Sequence, residues 1–201
     1  MAFRFHDLDE TTRSFMVEEV DRDTAQGILY LSPRLTDRGR RDWPGLLRAA
    51  VEKGDERRLA ESLRGTGRLR EVEHRQSRRG WGRPHEVRVP VTAPMTLAEG
   101  EFNRFYIRGL CLRALAQGIG EVAIYRAKAV DVPRPESARL VGARRPVTML
   151  LEDLRTHSGE EEPALRVPGG PNSGLSVRLP VAAESPPMLR PSAVRAAGEG
   201  D

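Results

Sequence analysis

Along residues 96–127 the apolar positions keep a helical period and then change to a period of two. Phe102, Phe105, Tyr106, Gly109 and Leu110 fall on one seam that Ala114 continues, which predicts a long amphipathic helix with a buried centre. Thr96 and Glu99 have the spacing of a capping box, in which the hydroxyl and the carboxylate each satisfy a first-turn amide. Gly118 and Gly120 stop the helix, and Val122, Ile124 and Ala127 then alternate as in a strand. Arg104 and Arg108, four residues apart, fall on a different face of that helix.

Weaker patterns flank this centre. Residues 9–26 read as a helix with Phe15, Met16 and Val20 on its apolar side and Gly27 as its stop. Residues 28–32 read as a short strand or an extended connector. A second helix is expected from Asp42, with Pro44 in its first turn and Leu46, Leu47, Ala50 and Val51 sharing a face. Gly54-Asp55 interrupts it and caps a further short segment through Leu59 and Leu63. Residues 69–74 and 86–91 form the two arms of a predicted hairpin, with glycines around Trp81 between them. Such a hairpin is marginal alone and has to lie on something else. Residues 132–146 look like a loop, 146–157 like a short helix, and 169–180 like a glycine-asparagine turn feeding a strand with Leu175, Val177 and Leu179 on one side. From residue 181 the chain is rich in Ala, Pro, Glu, Ser and Gly and offers little to bury. The expectation is an α+β single domain over 1–180, with an extended β-hairpin and a disordered tail over 181–201.

Composition sharpens this in one place. The chain carries a net charge of +4, but Lys53 and Lys128 are its only lysines, and an arginine skew of that kind is what a GC-rich genome produces. The local distribution says more: residues 64–88 hold eight arginines against three glutamates. Within them Arg75, Arg78, Arg79, Trp81 and Arg83 are the best interaction candidates, because arginines pair with phosphates and tryptophan stacks on a base or fills a partner's pocket. The bland alternative is a solvated hairpin tip. Arg104 and Arg108 join the set as binding candidates on the central helix.

Catalytic patterns fare worse. A nuclease-like metal site would need two carboxylates near Lys128, yet Arg126 stands where the second acid belongs. Glu99, Glu101 and Glu121 read as a cap, an exposed helix position and a strand start. Cys111 sits among apolar neighbours and reads as a buried, inert thiol that has no disulfide partner in the chain. The four histidines lack metal spacing, although His74 and His85 could face each other across the hairpin. The glycine-rich turn at 169–174 could offer amides to a phosphate, but no lysine or helix follows it. No catalytic residue, metal or cofactor is expected. No apolar run nears the roughly 18 residues a membrane helix needs, and no signal peptide is visible, so a cytoplasmic protein is expected.

Seven collinear phrases, FRFHDL, LYLSPRLT, LAEGEFNRFYIRGLCLRAL, IYRAK, PRPES, LLEDLRT and PNSGLSVRLP, are spread in order over residues 3–180. In these the chain resembles a family of uncharacterised bacterial proteins associated with phage and prophage structural genes. The order helix, hairpin, long helix, strand is also similar to the first part of the tailed-phage capsid fold, from which the chain departs by being short. The resemblance implies a non-enzymatic structural or assembly protein of a phage-like particle, acting by self-association as a homo-oligomer and touching packaged nucleic acid. The alternatives are a cytoplasmic nucleic-acid-binding protein using the 64–88 hairpin, and an enzyme with an unrecognised site.

Overall fold

A computed structural model describes residues 2–65, 67–75, 85–157, 159, 163–169 and 173–180. The expected tail over 181–201 therefore lies outside the described residues. Among the described residues six helices and two small antiparallel sheets make an α+β fold around one hydrophobic core.

Helix α1 (Glu10–Ala25) opens where Asp9 accepts a hydrogen bond from the Thr12 amide at 3.0 Å, and it ends at Gly27 in left-handed backbone. Helix α2 (Asp37–Lys53) begins a turn and more before the expected Asp42, because the Thr36 hydroxyl caps the Gly39 amide at 3.0 Å. Pro44 is thus inside the helix, and burial of Trp43, Leu47, Ala50 and Val51 holds the helix despite the lost backbone bond. Asp55 recaps the chain as expected, opening α3 (Glu56–Arg64). Residues 28–32 form no strand; just beyond them Leu35 bridges Leu69, and this extended pair leads into the hairpin β1 (Val72–Arg75) and β2 (His85–Arg88).

The long helix is α4 (Ala93–Ala116). It starts before the expected capping box: Pro94 occupies its first turn, Thr96 bonds back to the Thr92 carbonyl, and Glu99 turns to Lys128 instead. The proposed box fails because its residues are already inside the helix. Nor is α4 amphipathic at its centre. Every residue from Glu101 to Cys111 is buried, as in a helix packed on all sides. Helices α1 and α3 pack on it, with α2 across both, and α6 (Val147–Thr156) packs on another side. Gly109 lies where α1 crosses closest: a Cβ there would stand 2.7 Å from Met16 Cγ and 2.8 Å from its backbone nitrogen. A glycine in a helix interior costs about 1 kcal/mol against alanine, so this close approach is its reason.

Strand β3 (Glu121–Arg126) is the middle of a three-stranded sheet, with β4 (Arg144–Pro146) on one side and β5 (Leu175–Arg178) on the other. Val122, Ile124, Leu175 and Val177 face the core. The region read as a loop, 132–146, contains both α5 (Pro135–Leu140) and β4. Strand β4 reads Arg-Arg-Pro and has no apolar signature; it exists because β3 offers it an edge. The N-terminal segment lies beside β3, with the Arg4 amide on the Ala127 carbonyl at 2.8 Å and the Phe5 ring 4.5 Å from that of Tyr106. Among the described residues no helix is long and apolar enough to cross a membrane.

Candidate functional site

The first half of α4 carries charge into the interior. Leu97, Glu101, Arg104 and Arg108 follow one another at intervals of four, three and four, so they form a single row along the helix. Arg108, only 2% exposed, ends the row in a closed cluster. Its Nε donates to Glu19 at 2.6 Å, and its two Nη atoms donate to the Asp23 carboxylate at 2.6 and 2.8 Å. Arg155 of α6 donates to Glu19 from the other side, and the Arg108 guanidinium lies 4.7 Å from the Phe105 ring centre. Burial alone would raise the Glu19 pKa, but the hydrogen bond from Arg155 and the charge of Arg108 outweigh it and lower it. The cluster ties α1, α4 and α6 together.

One turn earlier the row opens. Glu101 and Arg104 line a cavity of about 430 Å³. Leu69, Leu97, Pro163 and Pro168 are among its apolar walls, and Arg34, Glu99, Asn103 and Lys128 add polar groups. Most of those polar groups are engaged. Lys128 Nζ reaches both oxygens of Glu99, at 2.6 and 2.7 Å. Arg34 pairs with Glu73 at 2.5 Å. Asn103 donates to the Leu175 carbonyl and accepts from Ser176, which fastens β5 to α4. Arg104 directs its terminal nitrogens at the carbonyls of His157 and Gly159, beyond the carboxyl end of α6, where a cation complements the helix dipole.

Glu101 is different. It is 4% exposed, accepts no hydrogen bond from a described residue, and has Arg104 Nε at 3.5 Å as its ion-pair partner. That Nε is itself buried without a hydrogen-bond partner. Burial raises the Glu101 pKa more than the charges of Arg104 and Arg108 lower it.

No protein-family model, curated protein or solved structure matches this chain. The site is therefore read from its geometry.

The sequence-derived binding candidates separate into two groups. Arg78, Arg79, Trp81 and Arg83 lie outside the described residues, as does the side chain of Arg75, whose backbone belongs to β1. Arg104 and Arg108, expected on a face apart from the apolar seam and offered as binding candidates, are both buried; every guanidinium nitrogen of Arg108 is already bonded to Glu19 or Asp23, which keeps it from a phosphate outside. Of the other basic residues in 64–88, Arg68 is bound to Asp42 at 2.8 Å and Arg70 to the Leu35 carbonyl. The two histidines do not face each other, because His74 pairs with Glu86 and His85 with Arg75. Cys111 is buried as expected, and burial pushes its thiol up to about 12.

Three residues weighed for a nuclease site, Glu99, Glu101 and Lys128, do converge in the cavity. They do not make that site, since Lys128 covers both Glu99 oxygens and leaves one carboxylate, whereas magnesium is held through several oxygen ligands. Among the described residues no three metal-ligating side chains cluster. Glu101 was missed because it read as an exposed helix position, whereas it is buried. The available signal was its place in the row with Leu97, Arg104 and Arg108.

Proposed function

We propose that the protein is a structural or assembly protein that works by self-association through its β1–β2 hairpin. The phage-like particle implied by its sequence resemblance is the setting. One observation carries this reading: the hairpin pairs with no third strand among the described residues, and none of its residues whose burial is described is fully buried. It is nonetheless held firmly at its root, where Arg34 grips Glu73 and the Val89 amide donates to the Glu71 carbonyl at 2.8 Å. Two strands alone are marginal in water, and burial against another chain removes that weakness.

Light scattering and negative-stain microscopy of the full chain, beside a variant with residues 72–88 replaced by a short turn, test the reading. Regular oligomers are expected for the full chain, and monomers of unchanged melting temperature for the variant. A monodisperse monomer for the full chain contradicts it. If the full chain instead binds DNA or RNA, replacing Arg78, Arg79 and Arg83 should flatten the log-log salt slope by about 0.7–0.9 for each phosphate that no longer has an arginine. In that case the hairpin is a nucleic-acid arm.

A further inference from the structure

We propose that the cavity beside α4 binds an organic cation, an alkyl guanidinium or alkyl ammonium group, through the carboxylate of Glu101. This site is independent of the hairpin reading.

The first support is a missing donor. A buried carboxylate has acceptor capacity for several hydrogen bonds, and among the described residues none is used. Leaving such a group unmatched is costly, so a ligand that supplies the donor gains more there than at a surface acceptor. A cation gains most, because its hydrogen bonds to a carboxylate are charge-assisted.

The second support is what the neighbouring groups leave over. Lys128 is occupied by Glu99, Arg34 by Glu73, and the terminal nitrogens of Arg104 by backbone carbonyls. An anion entering the cavity would therefore have to break existing pairs. Arg104 Nε, which lacks a hydrogen-bond partner, is itself enclosed.

The third support is shape. A volume of about 430 Å³ exceeds what a bare ion needs and falls in the range of small-molecule sites. Its apolar walls, Leu69, Leu97, Pro163 and Pro168, suit an alkyl stem behind a charged head. Gly174 has positive φ, and a Cβ there would stand 2.3 Å from the Lys128 carbonyl oxygen, so the chain is folded tightly against the site.

Binding is tied to protons. Glu101 has to be ionised to hold a cation, and the groups facing it are Arg104 and Arg108 on its own helix and Asp23 on α1. Lys128, Glu99 and Arg34 complete the charged set around the cavity. Because burial raises the Glu101 pKa, the bound cation displaces a proton, and affinity rises with pH.

The probes are n-butylguanidinium and agmatine, titrated calorimetrically into the full chain from about pH 5 to about pH 8. Saturable binding that strengthens with pH and releases protons is expected. Glu101→Gln should weaken it at least about tenfold while keeping the wild-type melting temperature or exceeding it. Gly100→Met supplies a second test, because residue 100 lines the cavity and its Cβ would meet nothing within 4 Å. It should also weaken binding without unfolding the protein. Light scattering with the probe present identifies the natural source: dissociation of oligomers means an arginine of a second copy occupies the cavity, and an unchanged mass means a free ligand. No binding overturns the proposal. So does binding indifferent to Glu101→Gln, or Glu101-dependent binding of phosphate or magnesium in place of the organic cations.

Discussion

Arg104 and Arg108 stand one turn apart on the same helix, are both buried, and have opposite surroundings. Around Arg108, Glu19 and Asp23 fill the guanidinium edge with short hydrogen bonds, and Arg155 completes Glu19. Around Arg104, the carboxylate of Glu101 remains 3.5 Å away with no donor of its own. Burial acts on both carboxylates in the same direction, and only Glu19 has the partners to reverse it. Buried charge is thus no uniform sign of function. A saturated group binds helices to one another, whereas an unsaturated group beside a cavity keeps acceptor capacity to spare.

The largest effect should come from opening the closed cluster. Arg108→Met takes the shared cation from two buried carboxylates, leaving Glu19 only Arg155 and Asp23 only the partly exposed Arg22, and should cost about 3–5 kcal/mol by chemical denaturation. An unchanged midpoint would mean that the cluster is no more structural than its neighbour. Leu110→Ala, beside it in the core, should cost about 2–5 kcal/mol through lost burial and a cavity. Gly109→Ala should cost about 1–3 kcal/mol, since the added methyl meets the α1 backbone at Met16.

The smallest effect, and one of opposite sign, belongs to Glu101→Gln. Since the folded pKa of Glu101 is raised, wild-type stability falls as pH rises from the ordinary carboxylate range through that raised value. The amide does not ionise, so the variant's melting temperature should gain on the wild type as pH increases. Glu19 behaves in reverse. Its lowered folded pKa gives stability that is complete above the unfolded value and is lost as pH falls through the folded one. A Glu101→Gln variant that loses ground with rising pH would show that the ion pair with Arg104 is stabilising.

Much of this was legible in the residues. The seam of Phe102, Phe105, Tyr106 and Leu110 located the core because large apolar side chains at helical spacing have few other uses. Asp9, Gly27 and Asp55 marked helix ends through local chemistry that needs no tertiary partner. What stayed hidden depended on distant chain. Glu101 and Arg104 look solvent-facing until α1 and α6 cover them, and β4 has no pattern of its own until β3 pairs with it. The capping box had the right spacing but lay beyond the true helix start at Ala93.

The difference between the two arginine sites is most directly tested by NMR titration of the glutamate side-chain carboxyl carbons in the intact protein. Glu19 should titrate below the ordinary carboxylate range and Glu101 above it, and an added alkyl guanidinium should pull Glu101 back down while leaving Glu19 unmoved. Glu101 titrating at or below the ordinary range would contradict the claim, because its carboxylate would then already have the partners that a ligand is expected to bring.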